Sequence, residues 1–162
     1  MAQNNKGVIT FSGSTTIASY ASAVGKKEGE GPFAAYFDCD DTSESPDGCS
    51  WEKAESELQG KALRTALKKG DLTPDDIDIL YAGDLLNQSM SSTFALRDFE
   101  IPTVGLFGAC STMSLSLAMA SLAVDSGAAK RAAAVTSSHF CTAERQFRNP
   151  IDYGGQRPPR PH

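Results

Sequence analysis

At 162 residues, 40% of them hydrophobic, the chain is one domain or a piece of one, with enough apolar material for a core. A formal net charge of −5, with no basic stripe interleaved with aromatics, argues against a nucleic-acid binder. No run reaches the roughly 18 to 20 apolar residues that span a bilayer, and the first six residues lack the apolar middle of a signal peptide.

Residues 7–11, with Val8, Ile9 and Phe11, predict a first strand. Residues 12–50 read as an irregular excursion rich in Gly, Ser and Asp. Within it Cys39 and Cys49 stand among Asp38, Asp40, Asp41 and Asp47. That spacing matches no standard zinc or calcium loop, so an acidic solvated loop is expected there and no metal site. Ser50 caps a helix with Trp51, Ala54, Leu58, Ala62, Leu63, Ala66 and Leu67 on one face, and Gly70 ends it in a left-handed conformation. Thr73-Pro-Asp-Asp76 starts a single turn, with threonine as cap and proline first. Residues 77–82 form a second strand closed by Gly83, and residues 89–98 a short helix. Thr103 to Phe107, bounded by Pro102 and Gly108, reads as a buried third strand. Residues 111–125 form a helix that is apolar on every side, with Leu115, Leu117, Met119, Leu122 and Val124 spread around it; such a helix belongs in an interior. It stops near Gly127, and residues 131–137 make a fourth strand. Strict alternation of strand and helix implies parallel strands joined by right-handed crossovers, a layered α/β domain.

Ligands of such sheets bind beyond the carboxyl ends of the strands. Those ends carry Gly83-Asp84, Gly108-Ala-Cys110 and Ser137-Ser-His139. Cys110 stands where a strand ends and a helix begins, and the unpaired N–H groups there favour a thiolate nucleophile. A small cysteine that merely packs well is the alternative. Asp84 is either a site residue or a cap for the turn after its strand. His139 shares the edge with Cys110, as a Cys–His pair or as a loop histidine bonded to backbone or water. Arg145, Arg148 and Arg157 would suit a carboxylate or phosphate, although solvated loop arginines are commoner. The four cysteines, Cys141 included, follow no CxxC spacing and read as reduced thiols.

The unit of strand, Gly-Ala-Cys-Ser, apolar helix, Gly and strand resembles the thiolase-like superfamily. Within it, Ala82-Gly-Asp-Leu-Leu-Asn-Gln88, Phe107-Gly-Ala-Cys-Ser-Thr112, Thr136-Ser-Ser-His139, Ala143-Glu-Arg-Gln-Phe-Arg148 and Tyr153-Gly-Gly-Gln156 are similar to the SpoVAD family of sporulation proteins. The resemblance implies one βαβαβαβ half of a thiolase-like layered fold, with a mostly parallel sheet and a buried helix after Cys110. It implies an N-terminal half-domain over residues 1–156, a Pro-rich tail at 157–162, and a chain shortened to about half a complete member. It further implies binding of dipicolinic acid for uptake into the developing spore, alongside other SpoVA proteins at the inner spore membrane. The protein would be peripheral to that membrane, made without a signal peptide, and a homodimer when complete. Ligand-binding residues on this reading are Cys110, Ser111, Thr112, Asp84, His139 and Arg145, with no cofactor.

Two other readings stand beside that one. In the first, Cys110 is the acyl-accepting nucleophile of an acyltransferase or condensing enzyme supplied by acyl-coenzyme A. Thiolase-type catalysis takes a histidine from the second half, and neither His139 nor His162 lies on a matching motif, which favours binding over catalysis. The last reading is a non-functional fragment, whose all-apolar helix would expose a patch that promotes association.

Overall fold

The computed structural model of the chain describes residues 3–5, 7–13, 15–41 and 50–143. Cys49, Asp47, Arg145, Arg148, Arg157, His162 and the expected boundary at residue 156 lie outside the described residues. In chain order, β1 (Gln3–Asn5) and β2 (Val8–Thr10) precede β3 (Ala23–Gly25), α1 (Lys26–Gly29) and β4 (Cys39–Asp41). Then follow α2 (Trp51–Lys69), β5 (Ile79–Gly83), α3 (Met90–Leu96), β6 (Thr103–Gly105), α4 (Thr112–Asp125), β7 (Ala132–Thr136) and α5 (Phe140–Ala143).

Three of these strands make the working sheet. β5 lies in the middle, parallel to β6 on one side and to β7 on the other, which is the α/β arrangement expected from the alternation. Side chains on β5 alternate between faces, as the two-residue period of a strand requires. Leu80 and Ala82 pack with Leu63 and Leu67 of α2, Leu96 of α3, Phe99 and Ile101. Tyr81 packs on the other face with Ala120 and Ala123 of α4 and with Ala129. Leu80 is fully buried, a gain of about 1.5–3 kcal/mol over exposure.

Local signals account for the ends of the elements. Lys53 N donates to the Ser50 hydroxyl at 3.3 Å, so Ser50 caps α2 as expected. Asp76 Oδ2 accepts from Thr73 N and Thr73 Oγ1 at 2.9 and 2.8 Å, closing the turn around Pro74. Gly127, with φ of 77°, takes the left-handed turn after α4.

Several expectations are corrected. The first strand does not join the working sheet: β2 pairs antiparallel with β1, and Val8 and Ile9 are exposed. Its exit is fixed elsewhere, by Ser12 N and Gly13 N donating to Asp125 Oδ1 at 2.8 and 3.0 Å. The excursion is not wholly irregular, since β3 and β4 form a parallel pair inside it. Gly70 is not left-handed (φ −86°); Asp71, at φ 52°, makes that turn. β6 is an exposed edge strand rather than a buried one, because nothing covers it on its outer side among the described residues.

Of the face expected for α2, Leu63 and Leu67 are buried, but its first half is not the apolar stripe expected; α4, expected to be interior on every side, is buried along one side only. In α2 the buried residues are Glu55, Ser56, Gln59, Gly60, Leu63 and Leu67, while Trp51 is 46% exposed. The stripe is polar in its first half and apolar in its second. In α4 the buried residues are Thr112, Ser116, Ala120 and Ala123, leaving Met113 and Leu117 outside. The small residues face the sheet because they let the helix approach it closely, so the larger ones are left on the open side.

Candidate functional site

The carboxyl edge of the sheet gathers the ends of β5 and β7 and the segment that enters α4. Leu106 N donates to Ala82 O at 2.7 Å and Ser137 N to Gly83 O at 3.2 Å, so both neighbours are tied to the end of β5. Cys110 lies in a single helical turn, Ala109–Ser111, that runs directly into α4. Its place at the amino end of that helix is the one the sequence predicts, while its thiol is free and exposed.

The turn is held by its own hydroxyls. Ser111 donates to the Gly108 carbonyl oxygen through both N (2.9 Å) and Oγ (2.6 Å). Thr112 Oγ1 donates to Ala109 O at 2.7 Å and accepts from Gly108 N at 3.0 Å. Ala109 is left-handed at φ 47°, a conformation that costs a residue with a Cβ about 1–3 kcal/mol. The amides of Ala109 and Cys110 make no hydrogen bond among the described residues. They stand at the positive end of a 14-residue helix, where an anionic group is favoured.

Beneath this edge lies a buried polar layer. Asp84, fully buried, accepts from Leu86 N through Oδ1 (2.8 Å) and from Ser92 N and Ser92 Oγ through Oδ2 (2.7 Å each). These are capping bonds: Asp84 fixes the entry to α3, the second of the two roles its sequence allows. Ser92 Oγ also accepts from Gln59 Nε2 at 3.0 Å, and the same amide nitrogen lies 3.3 Å from Gly83 O. The Gly83 carbonyl oxygen sets the amide orientation, since only a donor can face it.

Glu55, one turn before Gln59, accepts from Ser137 Oγ at 2.8 Å and lies 2.5 Å from Thr142 Oγ1. Burial pushes its carboxyl above the ordinary carboxylate range. The hydroxyls of Thr142 and Ser137 pull it back down, Asp84 adds to the rise, and His139 opposes it. Among the described residues, His139 Nδ1 and Gln59 Oε1 are buried without a hydrogen-bond partner.

The structure therefore sets the fully buried Asp84 and the half-buried His139 around the same carboxyl, Glu55, and holds Cys110, Ser111 and Thr112 together at the head of α4. No hydrogen bond joins Cys110 to His139 among the described residues. Arg145 lies outside them. Glu55 and Gln59 escape the sequence reading because charged and amide side chains on an amphipathic helix normally face water. One signal was available: stepping back by four from Leu67 and Leu63 lands on Gln59 and then Glu55, one continuous stripe. No group of His, Cys, Asp and Glu suited to a metal occurs among the described residues.

Comparison with known proteins gives this geometry a relationship. A family sequence model described as stage V sporulation protein AD (SpoVAD) matches residues 5–162. The chain is 49% identical over 142 residues to Stage V sporulation protein AD of Bacillus subtilis (strain 168), a span of 88% of this chain and 42% of that protein. It therefore covers about two-fifths of the length of that curated relative. Among solved structures, 3-oxoacyl-(acyl-carrier-protein) synthase III from Aquifex aeolicus VF5 superposes with a TM-score of 0.48 at 16% identity. That superposition covers 57% of this chain and 30% of the synthase. With nearly its whole length matched by one family and 49% of the 142 aligned residues shared with a curated member, the chain belongs to the SpoVAD family.

Proposed function

We propose that this chain supplies one wall of a binding site for dipicolinic acid, at the carboxyl edge of the sheet, and serves its uptake into the developing spore. The observation that carries the reading is the pair of amides, Ala109 and Cys110, that make no hydrogen bond among the described residues, on an exposed turn at the amino end of α4. Dipicolinate is a planar dianion, and a carboxylate is matched by two adjacent N–H groups at a positive helix end. The hydroxyls of Ser111 and Thr112 are already spent on the turn, so they shape the site and the backbone does the donating. Asp84 braces the floor, and His139 and Arg145 are the side chains proposed for the second carboxylate. On this reading the partners are other SpoVA proteins and a second copy of the chain, with peripheral attachment at the inner spore membrane. No helix among the described residues is long and apolar enough to cross a membrane.

Calorimetric titration tests the reading. Dipicolinate is expected to bind at least about tenfold more tightly than benzoate, which has the ring and one carboxylate. Equal affinity for the two removes the assignment.

A second reading is favoured by the same exposed thiol. Cys110 beside these two amides is also the layout of an acyl-accepting nucleophile with its oxyanion donors. Incubation with acetyl-coenzyme A and intact-mass measurement separates the two. An acetyl adduct abolished by Cys110→Ser supports acyl transfer, and an unmodified chain leaves ligand binding alone.

A further inference from the structure

Between α2 and the carboxyl edge of the sheet, the proton of one buried carboxyl group can be placed by counting. Glu55 is 1% exposed, and no lysine or arginine nitrogen pairs with it among the described residues. Thr142 Oγ1 lies 2.5 Å from Glu55 Oε2 and 2.8 Å from the His139 carbonyl oxygen. A hydroxyl owns one proton, whereas a backbone carbonyl and an ionised carboxylate own none. If Glu55 is ionised, one of those two close contacts is a meeting of lone pairs. If Glu55 is protonated, Oε2–H donates to Thr142 Oγ1 and Thr142 donates onward to His139 O. Ser137 Oγ, 2.8 Å from Oε1, then donates to the carbonyl oxygen of the acid, and every oxygen is matched. Ser56 Oγ shows the spacing of a proton shared between two carbonyls: it lies 3.0 Å from Glu52 O and 2.9 Å from Ser91 O, longer on both arms.

We propose that Glu55 is carried as a neutral carboxylic acid and acts as a positioning residue, holding the turn from Ser137 to Thr142 that carries His139. Its consequence for ligand capture rests on the dipicolinate reading; its protonation state does not.

The surroundings agree. Asp84, at the end of β5, and His139, after β7, are the ionisable neighbours that act on Glu55. α3 adds only hydroxyls to its buried polar face, Ser91 and Ser92. β3 carries no ionisable residue, and β4 meets α2 at its other end, where Cys39 lies beside Thr65. Burial and Asp84 both favour the neutral acid. The folded-state value is raised, so the contribution is complete below the ordinary glutamate range and disappears as pH rises through the folded value. Once the proton is lost, Thr142 serves a single acceptor and the turn loosens.

The test is the carboxyl carbon resonance of Glu55 in protein labelled at glutamate carboxyls, assigned by its absence in Glu55→Gln. The expected result is a protonated shift at a pH where the exposed glutamates have ionised. Hydrogen exchange across residues 137–143 is the companion measurement. Glu55→Gln reproduces the acid's donor and acceptor and is expected to keep wild-type protection, while Thr142→Val loses about tenfold of it. Ordinary titration of the resonance, or a loss in Glu55→Gln equal to that in Thr142→Val, overturns the proposal. The resonance is read on the wild-type chain, so a variant that does not fold leaves the decision standing. Failure of dipicolinate to bind removes the ligand reading and leaves this test untouched.

Discussion

Gly83 and Leu106 meet backbone to backbone: a Cβ placed on Gly83 would stand 2.2 Å from the Leu106 carbonyl oxygen. It would also stand 2.5 Å from the Thr112 methyl group. The end of β5 and the segment that delivers Cys110 are thus pressed together at a position where only hydrogen fits. The first helical turn of α4 takes its height above the sheet from this contact.

Gly83→Ala is therefore expected to displace residues 106–112 and to destabilise the chain by about 3 kcal/mol, at the upper end for overpacking. A carbonyl oxygen cannot rotate away as a side-chain tip would. Urea unfolding measures the loss, and the rate of Cys110 modification by a disulfide reagent reports the displacement. Gly105→Ala is the control, since a Cβ there meets nothing within 4 Å. Equal behaviour of the two variants would refute the close approach as the organising contact.

Asp84→Asn should cost about 2 kcal/mol, because Asp84 accepts from three donors and an amide nitrogen must face at least one of them. A fall in the urea midpoint with an unchanged slope is the expected signature. Ser92→Ala removes one of the three bonds and should cost about 1 kcal/mol. If Asp84→Asn leaves stability unchanged, Asp84 is not primarily a cap and a ligand role regains weight.

The layered arrangement was readable from the sequence because its cues are local. Ser50, Thr73 with Pro74, and Gly127 each fix a helix or turn end through bonds within a few residues. The apolar run of residues 79–82 could belong only to a covered strand. Cys110 at the head of α4 was legible for the same reason. Depth was not legible. The sequence does not say that α4 turns its small residues, Ser116, Ala120 and Ala123, toward the sheet, since serine and leucine alternate all around it. Only the four-residue spacing from Leu63 and Leu67 points to Glu55 and Gln59 as interior, and it says nothing of what they bond to. Their partners, Ser137, Thr142, Gly83 and Ser92, come from three other segments, and only the folded sheet edge brings them within reach. The first strand forms where expected but outside the working sheet, because pairing depends on which neighbour arrives, and β1 takes that place.

Asp78 should contribute to acid sensitivity, alongside Asp38, Asp76 and Asp125, whose carboxyls are likewise held low. Asp78 Oδ2 accepts from Lys130 N at 2.6 Å and Arg131 N at 2.9 Å, which fixes the entry to β7. The backbone amides of Arg131 and Lys130 hold its carboxyl below the usual aspartate value. A lowered folded-state value contributes stability above the unfolded value, and that contribution is lost as pH falls through the folded one. Melting temperature is therefore expected to drop from about pH 5 downward, with a shallower acid limb in Asp78→Asn. Parallel limbs for variant and wild type would show that other carboxylates carry the effect.

The outer face of α4 carries the last expectation. Met113 and Leu117, four residues apart on one side of the helix, are 62% and 41% exposed, while the inner side is closed by Thr112, Ser116 and Ala120. Apolar side chains stacked on an open helical face favour association over solvation. Sedimentation of this chain should show mass rising with concentration. Met113→Glu with Leu117→Glu should suppress that rise while shifting stability by no more than about 0.5 kcal/mol, as expected of exposed positions. A glutamate at 113 also lies in the first turn, where the helix dipole favours negative charge. Suppression with loss of folding would place the two side chains in the core. Unchanged sedimentation would move the adhesive surface elsewhere, with the exposed Phe107 beyond β6 as the next position to change.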